Sequence, residues 1–405
     1  MQKVEASTTP HVRATEQRIA IIVPGYQSRP MIESCYAEFL QGVYSFARPA
    51  MPWYIRLAAD DRTRSHVVEN WNPQGIIIWT QDRNLVENLQ KSQIPMVLAM
   101  DIGIHEGVSK VGLDDQAIGR MAAKHLLERG WTNFGFSGLE SQPASEARKH
   151  GFVAELEAAG HTCDIYRREE FGFRDDAPPD WAATSKRSQA WLSRLPKPVA
   201  VFHWDAFTGQ RFTEPALQLG LNIPHDVAYI VGTNDKTLCE VSHPTLSAVD
   251  VPYRQVGWEA ARRLHQLIET GHCDQDVLLP PRFIEEREST DRISVGDKLV
   301  NDAICYIRKH LHEPMNVDTL LTEFCVSRRA LETRFRNAIG RTPLQEIHRL
   351  RILKAQQYLL RGGYNIEQIA ERVGFASARR LRDIFRQYTG KTPSDFAGIP
   401  EQSAP

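Results

Sequence analysis

The sequence predicts a two-lobed α/β body, with parallel sheets covered by helices on both faces, followed by an all-α tail of two helix-turn-helix units. Three observations carry this. From residue 18 onward, apolar runs of strand length alternate with helical stretches over more than 270 residues, more than one simple sheet holds. "SRRALETRFRNAIGRTP" (Ser327–Pro343) returns 50 positions later as "SARRLRDIFRQYTGKTP" (Ser377–Pro393). The charge is split as well: 49 Lys+Arg nearly balance 50 Asp+Glu over the chain, but residues 298–400 hold 18 against 10. The tail is a basic module on an acidic body.

Residues 1–17, "MQKVEASTTPHVRATEQ", read as a flexible polar leader with no apolar signal segment, and no apolar run approaches the roughly 18 residues of a membrane span. A soluble cytoplasmic protein without membrane contact is expected. The body, 18–293, opens with the strand "IAIIVPG", a helix over Glu33–Arg48, and the strands "WYIRLA", "GIIIWT" and "IPMVLAM". A helix over Ala117–Arg129 and the strands "NFGFSGL", "AVFHWD" and "AYIVGT" follow, each run bounded by Gly, Pro or polar residues. Two similar lobes divide this material economically, and ligands of open α/β sheets lie outside the carboxyl ends of the strands, so a cleft between lobes is the expected site. The six cysteines (Cys35, Cys163, Cys239, Cys273, Cys305, Cys325) form no CxxC pair and no spacing with His, so reduced thiols are expected, with neither a metal nor a disulfide framework. No GxGxxG follows a strand, and no P-loop, HExxH or GxSxG occurs. Neither a cofactor nor catalysis is expected.

A short linker, 294–297, within "STDRISVGDK" (Ser289–Lys298), leads to the tail, 298–400. In each of its two units a leading helix carries apolar residues at helical spacing: Val317, Leu320, Leu321 and Phe324 in one, Ile366, Ile369, Ala370 and Val373 in the other. Asn316 and Asn365 are placed to cap these helices, Ser327 and Ser377 to cap the second ones, and Gly374 to supply the positive φ of a turn. Leu331, Phe335 and Ile339 form one inward stripe, and Leu381, Phe385 and Tyr388 the other. That turns Arg328, Arg329, Glu332, Thr333 and Arg336 outward on the first unit, and Arg379, Arg380, Asp383 and Arg386 on the second. Between the units "PLQEIHRLRILKAQQYLL" (Pro343–Leu360) runs without an interior Gly or Pro, giving a helix of about 27 Å. Such a rod can hold two second helices near the ~34 Å that separates successive major grooves on one face of DNA.

The sequence "IAERVGF", a phenylalanine ten residues on, and "YTGKTP" resemble the C-terminal signature of the AraC/XylS family of transcription regulators over about Lys298–Gly398. In that family the outward faces of both second helices contact bases, which maps onto Arg329, Glu332 and Thr333, and onto Arg379, Arg380 and Asp383. The chemistry agrees, since Arg grips guanine O6 and N7 and carboxylates accept from cytosine N4. Arg336, Arg341, Arg386 and Lys391 are assigned to phosphate.

The body resembles LacI-type and periplasmic sugar-binding proteins through "VGLDDQAIGRMAAKHLLERGWTNFGFSG", which looks like the segment entering their second lobe, through the R-x-x-G-F helix in "ARKHGFVAEL", and through a final strand in "FIEEREST". This implies a periplasmic-binding-protein-like sugar sensor. Arg148 matches the family arginine that reaches sugar hydroxyls, and Asp205 the acidic position after a second-lobe strand; in "VGTNDKT" either Asn234 or Asp235 fills the other acidic position. Trp204, Phe207 and Tyr26 are candidates for an apolar face against the sugar. A LacI-type sensor ahead of an AraC-type tail is the arrangement of the XylR-like, xylose-responsive regulators. The resemblance implies an activator of pentose utilisation genes, with double-stranded DNA, a sugar effector (D-xylose first), a second copy of the chain and RNA polymerase as partners. The alternative is a LacI-like repressor answering a hexose or another metabolite.

Overall fold

The computed structural model describes residues 17–23, 33–50, 53–58, 68, 70–80, 82–100, 107–140, 142–166, 181–273, 275–291 and 297–397. Lobe 1 is built on β1 (Gln17–Ile22), β2 (Trp53–Ala58), β3 (Gly75–Ile78), β4 (Met96–Ala99), β5 (Ser109–Leu113) and β11 (Val277–Leu279), in the order β11-β5-β4-β3-β1-β2. Lobe 2 holds β6 (Phe134–Ser137), β7 (Cys163–Tyr166), β8 (Val199–His203), β9 (Val227–Val231), β10 (Ser247–Asp250) and β12 (Phe283–Glu285), in the order β12-β10-β9-β8-β6-β7. Every pairing is parallel except β10 with β12. The central strands β3, β4, β8 and β9 are buried along their whole length, which is why they read as unbroken apolar runs. β5, β7 and β10 did not stand out in sequence because they are four or five residues long and mix polar with apolar side chains, and β11 because it has only three residues.

Lobe 1 is covered by α1 (Glu33–Ala50), α2 (Arg83–Gln90) and α8 (Tyr253–Thr270); lobe 2 by α3 (Asp115–Leu127), α4 (Pro143–Ala158), α5 (Trp181–Arg194), α6 (Ala206–Gln218) and α7 (Lys236–Val241). The chain passes between the lobes three times, from Leu113 to Asp115, from Asp250 to Tyr253 and from Leu279 to Phe283. The cleft is therefore bounded by strand ends and by the first residues of α3 and α8. Helices α3 and α4 approach unusually closely. A Cβ on Gly119 would lie 2.0 Å from the Arg148 carbonyl oxygen, and one on Gly151 2.0 Å from that of Gln116, so these two glycines set the helix separation.

The stretch that precedes the expected linker belongs to lobe 2. Glu288–Thr290 is a single 3-10 turn, Ser289 and Thr290 are buried, and the Ser289 hydroxyl donates to the Tyr229 carbonyl at 2.6 Å. Residues 292–296, and with them most of 294–297, lie outside the described residues.

The tail comprises α9 (Lys298–Lys309), α10 (Val317–Phe324), α11 (Arg328–Ile339), α12 (Pro343–Arg361), α13 (Ile366–Arg372), α14 (Ala378–Thr389) and α15 (Pro393–Ala397). It has two small cores. Val300, Ile304, Ile307, Leu320, Leu331, Phe335 and Leu350 fill one, and Ile352, Ile369, Val373, Leu381, Ile384 and Phe385 the other, so α12 serves both. Tyr388 does not complete the second stripe. It is 37% exposed and its hydroxyl donates to the Gln345 carbonyl, while Ile384, one turn nearer the helix start, is buried instead. Among the described residues no helix is long and apolar enough to cross a membrane.

Candidate effector cleft and nucleic-acid interface

The cleft is built around a buried ion pair. Asp114 caps α3 by accepting from the Ala117 amide at 2.8 Å, which sets the next residue, Asp115, on the first turn facing α4. Arg148 Nε donates to Asp115 Oδ1 at 2.7 Å, Arg148 Nη1 donates to the Trp204 carbonyl at 2.6 Å, and the guanidinium carbon stands 5.9 Å from the Trp204 ring centre. Both charged side chains are only 4% exposed. Burial raises the Asp115 carboxyl above its usual range, with Arg148 opposing. For Arg148 burial pulls downward, but Asp115 and the Tyr253 phenol more than offset it, so the guanidinium stays charged.

Opposite stands an aromatic group from lobe 1. Trp79, just past β3, meets Tyr36 of α1 edge-on at 4.5 Å and lies nearly parallel to Tyr253, the first residue of α8, at 5.9 Å. An aromatic surface and a fixed fork of N–H donors are the two elements that a sugar needs, one for its ring C–H groups and one for its hydroxyls.

The expected acidic residues are present but engaged. Asp205 caps α6, accepting from the Thr208 amide at 2.8 Å, and Asp235 caps α7, accepting from the Leu238 amide at 3.1 Å. Asn234 bridges two charged groups, donating to Asp250 Oδ1 at 3.1 Å and accepting from Arg287 Nη2 at 2.9 Å, while Arg282 Nε donates to Asp250 Oδ2 at 2.5 Å. Trp204 is buried, with its Nε1 donating to the Thr208 hydroxyl at 3.0 Å. Phe207 is partly exposed and lies under Arg211, 5.3 Å from guanidinium carbon to ring centre. Tyr26 lies outside the described residues. Sequence reasoning missed Asp115, Trp79, Tyr253, Asp250 and Glu38. The Glu38 carboxyl, on α1, is raised by burial, and Lys236 (which lowers it) and Asp250 (which raises it) act on it from lobe 2, so it faces them across the cleft. The doubled Asp of "VGLDDQ" was the available signal: one carboxylate caps and the other pairs.

In the tail the local chemistry follows the sequence closely. Asn316 and Asn365 each complete a capping box, Ser327 and Ser377 cap α11 and α14, and Gly374 has φ +76. The first turn uses Cys325 in the left-handed region, at φ 49. The two left-handed positions are 49 apart while the capping serines are 50 apart, so the second turn is one residue longer. Arg329, Thr333, Arg336, Arg379, Arg380, Asp383 and Arg386 are exposed on α11 and α14, and Glu332 is half-buried beside them. Arg328 is exposed and pairs with Asp318 at 2.7 Å. Arg341 is tied to the buried Glu346, and Lys391 is exposed. Arg351 of α12 donates from Nη2 to the Glu313 carbonyl at 2.7 Å, and its guanidinium lies against Gly374, which joins the first unit to the turn of the second.

Known proteins of this design include close counterparts in architecture. Residues 33–169 match the periplasmic binding proteins and sugar binding domain of the LacI family, 123–290 the periplasmic binding protein-like domain, and 320–398 a helix-turn-helix domain. The xylose operon regulatory protein of Escherichia coli K12 is 26% identical over 371 residues, covering 89% of this chain and 93% of that protein. That of Haemophilus influenzae is 25% identical over 363 residues, 88% of this chain and 92% of the relative. The solved structure described as the xylose-binding transcription activator xylR superposes with a TM-score of 0.59 at 24% identity, over 95% of this chain and 99% of that one. The chain thus has a periplasmic-binding-type body joined to a helix-turn-helix tail, and it resembles xylose operon regulators through both.

Proposed function

We propose that this chain is a sugar-responsive DNA-binding transcription regulator, an activator of pentose utilisation genes whose first effector is D-xylose. One observation carries the reading: a single chain joins a two-lobed body, with buried Arg148 electrostatically coupled to Tyr253 of the Trp79 group, to a tail presenting two outward arginine-bearing helices. Likeness to xylose operon regulatory proteins spans both parts.

The sugar lies between the lobes, its C–H face on Trp79 and its hydroxyls on Arg148 and Asp205. Arg148 has five N–H donors and gives two of its nitrogens to Asp115 and Trp204, and a carboxylate has several lone-pair directions, so capping leaves Asp205 able to accept more. Closing the lobes around the sugar alters how a dimer presents its four helix-turn-helix units, provided the sugar binds the closed arrangement better than the open one. The protein acts in the cytoplasm, and as an activator it meets RNA polymerase at the promoter.

The test is a thermal-shift comparison of pentoses and hexoses on the purified protein. A ligand at 100 times Kd stabilises by about 2.7 kcal/mol. D-xylose should give the largest shift. A larger shift with a hexose replaces the effector, and none with any sugar rejects the sensor reading.

A further inference from the structure

Lobe 2 and the tail meet through a set of charges in which two largely buried arginines flank a partly exposed carboxylate. Glu286, immediately after β12, lies between Arg129, whose Nη2 is 2.6 Å from its Oε1, and Arg308 of α9, whose Nη2 is 3.6 Å from its Oε2. Arg308 Nη1 also reaches Asp291 at 3.2 Å. The Arg129 and Arg308 side chains are 3% and 11% exposed, and His125, one turn before Arg129, stands against it at 3.1 Å. Burial works against the Glu286 carboxylate, yet Arg129 and Arg308 hold it well below the ordinary range.

Around this centre α12 grips the same edge. Gln357 Nε2 donates to the Ile284 carbonyl at 2.7 Å, Lys354 lies 3.9 Å from Glu285 and Arg349 3.9 Å from Glu128. The helix that joins the two helix-turn-helix units is thus laid directly on lobe 2. Beside the contact runs an open groove of about 1070 Å³ lined by Arg287, Arg308, Leu353 and Tyr358 among others.

Both elements that end at this contact begin in the cleft. Helix α3 starts at Asp115, the partner of Arg148, and runs about 20 Å to the turn that carries Glu128 and Arg129. Strand β12 starts beside Arg282, which pairs with Asp250, and ends beside Glu286. A packed helix and a paired strand move as units rather than bending, so a displacement at one end appears at the other.

We propose that Arg129, Glu286 and Arg308 form a latch that docks the DNA-binding tail on lobe 2, and that α3 and β12 carry the state of the cleft to it. The coupling rests on the sugar-responsive reading above; the docking itself does not. Glu286→Gln keeps the side chain's size but leaves two buried guanidiniums facing each other without a carboxylate between them, which disfavours the docked arrangement.

The test compares full-length wild type, Glu286→Gln and Arg308→Gln. Small-angle X-ray scattering without ligand reads docking, calorimetry reads D-xylose binding, and anisotropy with a duplex selected by the wild type from a random pool reads DNA affinity with and without D-xylose. Both variants should show a larger radius of gyration and should still bind D-xylose, with an affinity altered by no more than the coupling factor itself. The sugar-induced change in DNA affinity, expected in the range of about 5- to 150-fold for wild type, should fall toward onefold. An unchanged radius together with full coupling in either folded variant overturns the latch. If Glu286→Gln does not fold, Arg308→Gln decides by the same readouts. A wild type indifferent to every sugar counts against the functional reading, and the radius then decides the latch alone.

Discussion

Arg148 Nε sits 2.7 Å from Asp115 Oδ1 across the α3–α4 contact, so the arginine at the floor of the cleft is held by the neighbouring helix of its own lobe. Removing Asp115 leaves a buried cation without its carboxylate, and the loss of one partner of such a pair costs about 3 to 5 kcal/mol. Asp115→Ala should therefore lower the urea midpoint strongly at neutral pH. A loss below about 1 kcal/mol would show the site to be wet enough to solvate Arg148.

Asp205 should do two separable things. As the cap of α6 it contributes about 0.5 to 2 kcal/mol of stability. As a sugar acceptor, its charge-assisted hydrogen bond is worth about 1.5 to 3 kcal/mol, or roughly ten- to more than a hundredfold in affinity. Asp205→Ala should lose both, and Asp205→Ser, which keeps a capping oxygen, should regain stability but not D-xylose affinity. Calorimetry beside urea unfolding separates them. Full D-xylose affinity in both variants would leave Asp205 as a cap alone.

Where a residue's role is local, the sequence carried it. Capping by Asn316, Asn365, Ser327 and Ser377 depends on a few neighbouring amides, and the positive φ of Gly374 on the residue itself, so each was readable from spacing. Arg148 entered through the resemblance of its R-x-x-G-F helix to that of sugar-binding proteins, and the structure adds that Gly151 of the same motif lets α4 meet α3. Its partner Asp115, 33 positions away, reaches it through the packing of α3 on α4, and Tyr253, over a hundred away, through the crossing between lobes. Glu286 was invisible for the same reason: in sequence it is one more acid in "FIEEREST", and only the docking of α9 onto lobe 2 places Arg308 beside it. Tyr388 was misplaced because helical spacing alone does not choose between it and Ile384.

Acid should weaken the body through His203. The ring is fully buried at the end of β8 between Phe212 and Tyr229, with neither nitrogen hydrogen-bonded, and burial lowers its pKa to about 3. The folded state keeps the ring neutral while the unfolded chain takes up a proton below about pH 6.5. Stability is thus fully present above that value and is lost as pH falls toward about 3, by about 1.4 kcal/mol per unit. His125, lowered in the same direction by burial and by Arg129, adds to the loss. His203→Phe should lose about 1.4 kcal/mol less than wild type between about pH 7.5 and about pH 5.5 in urea titrations. Parallel acid slopes would mean that the ring protonates within the fold.

The two ends of α14 should read DNA differently. Leu381, Ile384 and Phe385 fix the inward face, so Arg379, Arg380, Asp383 and Arg386 all stand outward, Arg379 in the first turn and Arg386 in the last. In helix-turn-helix proteins the first residues of the second helix enter the major groove, which places Arg379 on base edges and Arg386 over the backbone. Arg379→Ala should cost about 1 to 3 kcal/mol on the preferred site and relax the preference at one or two base pairs. Arg386→Ala should weaken all sequences alike and flatten the dependence of log affinity on log salt by roughly one ion. Anisotropy titrations of both variants against single-base-pair variants of a selected duplex, at several salt concentrations, decide between these roles. Equal losses on every duplex, with equal changes in salt slope, would make both arginines phosphate contacts and move base reading on this helix to Arg380 and Asp383.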